Sequence, residues 1–481
     1  MGRTRWRIAS LACASLLVAC GSVEHFGTPA ADDRAVDVWL TTGDRTRLLA
    51  PEARLDFADR PPLAANIDVD DARRYQKMAG FGAAITDASA WLIRNRMGEA
   101  QRTALLLELF GRGGRGIGLA VIRLTIGASD FSLTHYSLDD LPPGQTDPTL
   151  ARFSIDAQRA DVLPIVKRVL AINPNLQIVA SPWSAPAWMK TTGSLIKGSL
   201  KPEHHATYAH YLSHYVDALA AEGVPIHAIT LQNEPHHEPD DYPGMRLDPA
   251  TRAELIGAHL GPLLARRAAR VDLIEWDHNW DKPQSPLAVL SDPIARPYVA
   301  AVGWHCYGGQ PSAQSRVHDV FPDKQVWLTE CSGGEWDPRW PQSLTWTVRQ
   351  VVIGATRAWA QGVLLWNLAL DERHGPHLGG CKDCRGVVTI DSATGAITRN
   401  LEYYALAHAS RFVRPGAERI DSSAGAEDLD HVAFRNADDA SIVLVVCNSA
   451  AAPKEFSVRY RGHVFSTKLP RESVATFVWK S

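Results

Sequence analysis

The chain contains 481 residues, of which 45% are hydrophobic and 21% are charged, and its formal net charge is −3. This length exceeds what one simple hydrophobic core encloses, so we expect one large domain with a smaller domain attached. The composition is typical of a soluble globular protein, and its 15 tryptophans indicate flat ligand-stacking surfaces in addition to core residues. The slightly acidic balance argues against nucleic acid as a partner.

The amino terminus has the layout of a secretory signal. Three arginines within the first seven residues precede an apolar segment, residues 8–19, that is too short to span a bilayer as a helix. The segment ends in Leu-Val-Ala-Cys20-Gly, which resembles a bacterial lipobox, in which the cysteine is lipidated and becomes the first residue. We therefore predict that residues 1–19 are removed and that the protein is exported, with the membrane contacted only through the lipid on Cys20. The alternative is an ordinary signal peptide and a secreted protein.

A regular alternation of strand-like and helix-like segments begins after residue 70. Strand candidates end near Ile85, Ile126, Trp183, Glu234, Asp277, Tyr307, Glu330 and Leu370. Eight strand–helix units predict a (β/α)8 TIM barrel, for which we assign residues 71–413. A doubly wound sheet is the alternative, but it normally has fewer units, and no Gly-x-Gly-x-x-Gly follows the first strand.

The two ends of the chain have a different pattern. Residues 414–481 form short alternating segments separated by Asn, Asp, Gly and Pro, which predicts a small β-sandwich. Residues 32–70 contain similar strands that have no place in the barrel. We therefore expect both chain ends to build one sandwich domain.

Two of the predicted barrel strands end in a carboxylic acid. Glu234 closes Thr-Leu-Gln-Asn-Glu before a proline, and Glu330 closes Trp-Leu-Thr-Glu before two glycines. The two residues are 96 positions apart, which matches three units of about 32 residues each. That spacing assigns them to strands 4 and 7, which face each other across the barrel mouth. Two carboxylates about 5–5.5 Å apart are what retaining glycoside hydrolysis requires. The alternative is that both form salt bridges at strand ends.

Five motifs carry a family resemblance. They are Gly-Phe-Gly-Ala-Ala-Ile-Thr-Asp (80–87), Ala-Ser-Pro-Trp-Ser-Ala-Pro-Ala-Trp-Met-Lys (180–190), Gln-Asn-Glu-Pro (232–235), Trp-Leu-Thr-Glu (327–330) and Trp-Asn-Leu-Ala-Leu (366–370). In this order they resemble glycoside hydrolase family 30, the glucosylceramidase or acid β-glucosidase family. The resemblance implies a (β/α)8 barrel with a β-sandwich, retention of anomeric configuration and no cofactor or metal.

The resemblance also implies roles for individual residues. Glu234 would be the acid/base and Glu330 the nucleophile. Asn233 would bind the sugar 2-hydroxyl, and Asp87 would accept hydrogen bonds from other sugar hydroxyls. The alternatives are a turn residue for Asn233 and a helix cap for Asp87.

Five further residues are candidates for the same site. Trp183 and Trp366 would form walls for the sugar, or else pack under the loops. Arg123 is the only charged residue in its strand and would favour the ionised form of Glu330, unless it forms an ion pair inside the barrel. His305 and Tyr307 lie on one face at the end of strand 6 and could hydrogen-bond the nucleophile, with a purely structural role as the alternative.

A Cys-x-x-Cys pair follows the last barrel strand. In an exported protein Cys381 and Cys384 would most simply form a local disulfide. With His374 and His377 they could instead hold zinc, or they could remain free thiols. The other three cysteines after residue 20 are expected to be buried thiols: Cys306, Cys331 and Cys447.

The predicted function is a retaining β-glycosidase that removes terminal β-glucose from a glycolipid or glucoside. The loop from His374 to Arg385 departs from the glucosylceramidase pattern, so the leaving group is open. The alternatives are an endo-β-1,6-glucanase or a xylan-type enzyme of the same family, and a carbohydrate-binding barrel without activity.

Overall fold

The computed structural model describes residues 1–2, 34–423 and 428–481. The predicted signal peptide and the lipidation site Cys20 lie outside the described residues. All of the architecture below belongs to the unit Arg34–Ser481. Within the described part of the chain, no helix has the length and apolar character needed to cross a membrane.

Eight parallel strands close into a barrel, which confirms the predicted (β/α)8 fold and excludes an open sheet. They are β1 (Gly80–Ala84), β2 (Val121–Ile126), β3 (Gln177–Pro182), β4 (Ala228–Thr230), β5 (Asp272–Asn279), β6 (Val299–His305), β7 (Gln325–Glu330) and β8 (Ala360–Asn367). Closure is made by β8 and β1, with Gly362 paired to Gly80. Because all strands run in one direction, their carboxyl ends meet at one rim of the barrel.

Helices connect and surround these strands. The α-helices of the described residues are Asp87–Asn95, Glu99–Phe110, Asp156–Arg159, Val162–Ile172, His205–Ala221, Pro249–Glu254, Gly261–Ala265, Gln284–Ser291, Ser312–Val320, Trp340–Trp346, Ala355–Arg357 and Leu401–Ser410. Two π-helical segments, Leu255–Leu260 and Thr347–Gly354, and three 3₁₀ turns, Ala187–Met189, Pro202–His204 and Arg296–Tyr298, complete the set. The helix Asp87–Asn95 begins where the Thr86 side chain accepts a hydrogen bond from the backbone N–H of Ser89.

Apolar side chains fill the lower half of the barrel interior. They are Val121, Val179, Ala228, Ile274, Ala301, Trp327 and Leu364. The indole of Trp327 lies directly over Gly362, where a Cβ atom would collide with the ring. This filling makes the lower half of the barrel a packed core, so the polar side chains of the barrel gather at the rim formed by the carboxyl ends of the strands.

The second domain is a β-sandwich built from both ends of the chain, as the sequence predicts. Its hydrogen-bonded order is Ala50–Pro51, Ala35–Thr42, Ser473–Trp479, Ile442–Asn448, Leu429–Arg435, Glu418–Ser422, Asn66–Lys77, Lys454–Tyr460 and His463–Leu469, with Leu55–Asp56 paired to Ala35–Thr42. One boundary changes. The strand Asn66–Lys77 continues past residue 71 and pairs with Glu418–Ser422, so the barrel begins at Gly80.

Short strands decorate the rim of the barrel beyond β7 and β8. Gly333–Gly334 pairs with Cys384–Arg385, and Val388–Ile390 lies between Ala369–Leu370 and Ile397–Arg399. The first of these pairs joins the segment after β7 to the segment after β8. It therefore fixes one side of the rim above the candidate site.

Candidate active site

Glu234 lies in a turn rather than at the end of a strand. Strand β4 ends at Thr230, four residues earlier than the sequence suggests. The backbone N–H of Glu234 donates to the carbonyl of Asp277 at 3.0 Å, and the N–H of Asn233 donates to the carbonyl of Pro182 at 2.8 Å. Glu234 has a φ of +47°, in the left-handed region that a non-glycine residue adopts at a cost. Bonds to both neighbouring strands thus hold the carboxyl group over the barrel mouth.

Glu330 is the last residue of β7, as predicted, and it pairs in register with His305 of β6. Arg123 donates from Nη1 to Oε2 of Glu330. Tyr307 donates its hydroxyl to the other oxygen, Oε1, at 2.9 Å. Both carboxylate oxygens of Glu330 are therefore occupied by donors, which favours its ionised form.

The two glutamates form a close pair. One oxygen of each and one ring nitrogen of His305 lie within 4.8 Å of one another. Retaining glycosidases hold their carboxyl groups about 5–5.5 Å apart, whereas inverting enzymes need about 6.5–9.5 Å to accommodate a water molecule. The separation thus fits direct attack by a carboxylate on a sugar.

Arg123 connects most of the site through one guanidinium group. Besides Glu330, it donates from Nη2 to Asp277 at 2.8 Å, to Asn233 at 2.7 Å and to Ser181 at 3.2 Å. Its side chain is fully buried. Burial alone would raise the pKa of Asp277. The charge of Arg123 and the contact with His305 outweigh burial and hold this pKa well below its usual range. Arg123 is therefore the buried cation around which the acids are arranged.

His305 bridges Glu234 and Asp277, and it lies farther from Glu330, the candidate nucleophile. Its Nδ1 lies 3.1 Å from Oε1 of Glu234, and its Nε2 lies 3.0 Å from Oδ1 of Asp277. The nearest oxygen of Glu330 is farther from Nδ1, at 3.9 Å. Burial lowers the pKa of His305, but the surrounding carboxylates outweigh burial and raise it to about 9. The imidazole is therefore a cation at neutral pH.

The two glutamates differ in pKa. Burial raises the pKa of Glu330, and the charges of His305 and Arg123 oppose that rise. Burial also raises the pKa of Glu234, but the hydrogen bond from His305 and the charges of the nearby histidines together outweigh burial and bring the pKa to about 2. As the pair stands in the structure, the imidazolium of His305 therefore favours the ionised form of Glu234. The acid/base role predicted for Glu234 requires a proton on this residue.

Trp183 and Trp366 form one wall, not two. Their rings stack at 4.9 Å with an interplanar angle of 18°, and both side chains are buried. The guanidinium carbon of Arg123 lies 4.8 Å from the ring centre of Trp183 and 5.5 Å from that of Trp366. Phe131 meets Trp366 edge to face at 6.2 Å. These rings form a buried apolar cluster next to Arg123, which in turn contacts Glu330.

The structure corrects the role expected for Asp87. Its carboxylate accepts a hydrogen bond from Tyr136 at 3.0 Å and lines a separate pocket with Trp91, Leu133 and Asp161. Burial raises the pKa of Asp87 to about 6, and the charges that act on it do not include Glu234 or Glu330. The carboxylate of Asp87 therefore faces Tyr136 and this separate pocket.

Asp130 lies close enough to both glutamates to interact with their charges, as was expected of Asp87. It follows β2 by four residues, and its side chain is buried. Burial and the charges of Glu330 and Glu234 raise its pKa to about 8. Leu378 donates its N–H to the carbonyl of Asp130 at 2.8 Å, so the loop after β8 folds over it. Asp130 is thus a third carboxyl group of the site.

The cysteines form two disulfides. Cys381 pairs with Cys384, so their sulfurs are not available as zinc ligands, and the imidazoles of His374 and His377 contact backbone carbonyls. Cys306 pairs with Cys331, which overturns the expectation that both are free thiols. The reason is that β6 and β7 are adjacent and the two residues follow their carboxyl ends. Cys447 is a buried free thiol, as predicted.

Sequence reasoning missed Asp130 and Asp277 as site residues, and also His278. His278 follows Asp277 on β5, and its Nε2 lies 3.7 Å from Glu234. The signal was the same one that identified Glu330. Each of these residues ends an apolar strand or lies within four residues of its carboxyl end, and such ends meet at one rim.

A (β/α)8 barrel with two carboxyl groups this close at its carboxyl-end rim, beside an aromatic wall, is the arrangement of a glycoside hydrolase. Residues 78–413 match the model of the glycosyl hydrolase family 30 TIM-barrel domain, and residues 416–477 match that of the family 30 beta sandwich domain. The chain belongs to glycosyl hydrolase family 30 and hydrolyses O-glycosyl bonds.

Individual relatives are similar over nearly the whole chain. An endo-1,6-beta-D-glucanase of Neurospora crassa is 34% identical over 431 residues, which cover 86% of this chain and 87% of the relative. The lysosomal acid glucosylceramidase of Mus musculus is 29% identical over 449 residues, with 88% and 85% covered. The solved structure of the endo-beta1,6-glucanase BT3312 superposes with a TM-score of 0.84 at 31% identity, with 93% of this chain and 99% of that chain covered.

Proposed function

We propose that this protein is a retaining endo-β-1,6-glucanase with Glu330 as nucleophile and Glu234 as acid/base. The observation that favours this substrate is the order of similarity: the Neurospora crassa endo-1,6-beta-D-glucanase is 34% identical to the chain, against 29% for the mouse glucosylceramidase. The glucosylceramidase function that the motifs favour becomes the second candidate. Both candidate functions use the same carboxyl pair and the same retaining mechanism.

The roles follow from the donors around each acid. Glu330 is held by Arg123 and Tyr307, so it remains a fixed carboxylate aimed at the anomeric carbon. Among the described residues, the carboxylate of Glu234 contacts His305 and, more distantly, His278, and the Glu234 side chain is the more exposed of the pair. A residue that must exchange protons with the leaving group and then with water needs such access.

In the first step Glu330 attacks the anomeric carbon while Glu234 donates a proton to the glycosidic oxygen. This forms a covalent glycosyl ester on Glu330 and releases the shortened glucan as an alcohol. In the second step Glu234, now ionised, takes a proton from water. The resulting hydroxide attacks the same carbon and regenerates Glu330, so two inversions give net retention.

The proton must lie on Glu234 when the first step begins. A glycosidic oxygen placed against Glu234 accepts a hydrogen bond, which favours the protonated carboxyl. His305 lies between the two acids, at 3.1 Å from Glu234 and 3.9 Å from Glu330. It can give its Nδ1 proton to Glu234 as the substrate binds. Substrate binding would thus place the proton on the side where it is used.

Sugar hydroxyls have defined partners around the pair. The Asn233 side-chain oxygen accepts from Arg123, which directs the amide NH₂ toward a hydroxyl beside the attacked carbon. Asp130 is neutral at pH 7 by its raised pKa, so it can donate as well as accept. The stacked Trp183 and Trp366 supply an apolar wall against the C–H face of the ring.

A substrate panel tests this assignment. Purified protein would be assayed on β-1,6-glucan, a β-1,6-linked glucose tetrasaccharide, glucosylceramide, an aryl β-glucoside and an aryl β-xyloside. An endo-glucanase releases products of several lengths from the polymer and lowers its mean size before much free glucose appears. Release of glucose from glucosylceramide with the polymer left intact would transfer the assignment to the second candidate.

We also propose that the protein is exported and anchored by a lipid on Cys20. Two disulfides fit an oxidising compartment. Fractionation of cells that express the wild type and Cys20→Ser tests this. The wild type should sediment with membranes and the variant should not. A wild type that remains in the soluble cytoplasmic fraction would contradict the proposal.

A further inference from the structure

The exposed aromatic side chains of the described residues are gathered in one place. Three aromatic side chains are strongly exposed: Tyr307 at 44%, Trp336 at 55% and Trp346 at 44%. All three line a single groove of about 330 Å³ beside the carboxyl pair. Exposed indoles lose the benefit of burial, so a cluster of them marks a binding surface.

The groove begins at the reacting groups. Tyr307 lines it and donates to Glu330, and Ser332 and Gly333 of its wall follow Glu330 directly in the chain. Its other wall is formed by Trp346 of the helix Trp340–Trp346 and by Arg385. A chain that leaves the carboxyl pair on this side must therefore pass over the indoles.

The Trp336 wall is held in place by its surroundings. The indole lies across Gly334, where a Cβ atom would collide with the ring. Arg385 donates to the carbonyl of Gly334 at 2.7 Å and to Glu335 at 3.1 Å. The disulfide between Cys381 and Cys384 braces the same strand pair. The exposed ring is therefore ordered before a ligand arrives, which lowers the entropic cost of binding.

The position of the groove relative to Glu234 and Glu330 indicates which part of the substrate the groove binds. The residues that we assign to the sugar attacked by Glu330 follow or end β2, β3 and β8, namely Asp130, Trp183 and Trp366. The groove instead belongs mainly to the segments after β6 and β7. The part of the substrate beyond the broken bond is the part that reaches this side. Within the described residues the indole N–H groups of Trp336 and Trp346 have no partner, so both can donate to hydroxyls.

We propose that this groove binds the glucosyl residues on the leaving-group side of the cleaved bond, with Trp336 and Trp346 stacking on their rings. This inference rests on the proposed β-1,6-glucan substrate. If the groove binds these residues, the enzyme prefers long glucan chains to glucosides that carry a single sugar. The flat apolar face of a glucosyl ring can stack on an indole ring. The sugar hydroxyls can accept hydrogen bonds from the indole N–H groups.

The test compares two substrates that differ only in the leaving group. β-D-Glucosyl fluoride has a one-atom leaving group that cannot reach the groove, whereas a β-1,6-linked glucose tetrasaccharide can fill it. For Trp336→Ala and for Trp346→Ala we expect the ratio of kcat/KM on tetrasaccharide to kcat/KM on fluoride to fall by about tenfold or more. Trp336→Tyr, which keeps a ring for stacking, should recover most of the ratio.

A matched control and a second readout complete the test. Trp91→Ala removes a half-buried tryptophan of another pocket and should leave the ratio unchanged. Protein trapped with a 2-deoxy-2-fluoroglucosyl group should be reactivated faster by a β-1,6-linked disaccharide acceptor, and Trp336→Ala should lose that acceleration. An unchanged ratio in both alanine variants, with a wild type that cleaves the tetrasaccharide, would overturn the groove assignment alone. A wild type that cleaves the fluoride but not the tetrasaccharide would overturn the proposed substrate and the groove's occupant with it.

Discussion

The hydroxyl of Tyr307 donates a hydrogen bond to Oε1 of Glu330 across 2.9 Å. Tyr307 follows β6, Glu330 ends the adjacent strand β7, and Arg123 holds the other carboxylate oxygen. The contact therefore fixes the orientation of the proposed nucleophile and favours its ionised form. The same tyrosine also lines the groove that we assign to the leaving group.

Tyr307→Phe tests this contact while the ring is retained. A hydrogen bond to a charged group contributes about 1.5–3 kcal/mol, so kcat should fall by about 10- to 100-fold. The loss of a donor raises the pKa of Glu330, which moves the acidic limb of the kcat/KM profile to higher pH. The control is Tyr298→Phe, at the opposite end of the barrel, which should change neither quantity. A normal kcat with an unshifted profile would remove Tyr307 from the mechanism.

Arg123→Met should damage both stability and activity. It leaves Asp277 and Glu330 buried without their cation, which costs about 3–5 kcal/mol in the free energy of unfolding. Loss of the charge beside the nucleophile should also lower kcat by about a hundredfold or more. Urea denaturation and steady-state kinetics measure the two effects.

Arg252→Met is the matched control for Arg123→Met. Arg252 forms a second fully buried ion pair, with Glu275 at 2.7 Å, and it does not contact the carboxyl pair. Its loss should cost stability to a similar degree and leave kcat of the folded protein near the wild-type value. Equal losses of kcat in both variants would show that the effect of Arg123 is structural.

Asp130→Asn should have opposite effects on function and on stability. The pKa of Asp130 rises from 3.8 in the unfolded chain to about 8 in the folded protein. Between these values the unfolded chain has lost a proton that the folded protein keeps, so Asp130 lowers stability progressively as pH rises through this interval. The variant should therefore gain stability over the wild type from pH 4 to pH 8, while its kcat/KM falls. A stability difference that stays constant with pH would contradict this.

Asp147→Asn provides the opposite control. Backbone N–H groups, first that of Arg152, lower the pKa of Asp147. Its stabilising contribution is present above the ordinary carboxyl pKa and disappears as pH falls through the folded value. The variant should therefore be less stable than the wild type at neutral pH, with the difference shrinking in acid. Thermal melts at several pH values compare the two variants directly.

The disulfide between Cys306 and Cys331 should support both fold and site. It closes a loop of 25 residues, for which the chain-entropy model gives about 3 kcal/mol. Cys306 lies between His305 and Tyr307, and Cys331 follows Glu330, so its loss should also lower kcat. The double variant Cys306→Ser/Cys331→Ser would be compared with Cys447→Ser, which removes a free thiol. Full activity and stability in the double variant would refute this role.

The sequence predicts the barrel and the glutamate pair because both depend on short-range patterns. Apolar strands repeat at regular intervals, and the carboxyl ends of parallel strands meet at one rim whatever the loops do. Glu330 therefore appears where expected. Strand β4 ends four residues earlier than predicted. The predicted position of Glu234 is still correct, because residues 231–234 continue over the same rim.

The predictions that were wrong concern residues whose neighbours depend on the path of a loop or on contacts between distant parts of the chain. Asp87 and Asp130 both follow barrel strands, and only the path of the loop after β2 tells which one faces the pair. That loop is held by Leu378, which is far away in the sequence. Cys306 and Cys331 likewise become neighbours only once β6 and β7 are known to be adjacent.

The proton distribution also could not be read from the sequence. Two close carboxyl groups predict one shared proton, but which acid holds it depends on the cations nearby. His305 contacts Glu234 and Asp277, and it lowers the pKa of Glu234, the acid that is expected to carry the proton. A register difference of one residue on β6 would have faced the imidazole away from both acids.

The configuration of the product that Glu234→Ala forms in azide shows which of the two glutamates is the nucleophile. With an activated aryl β-glucoside this variant should still form the glucosyl ester on Glu330, because a good leaving group needs no proton. Azide, which needs no base, should then attack the ester. The account predicts recovered turnover and a β-glucosyl azide of retained configuration. An α-glucosyl azide would contradict it, because direct attack by azide would mean that Glu234 is the nucleophile.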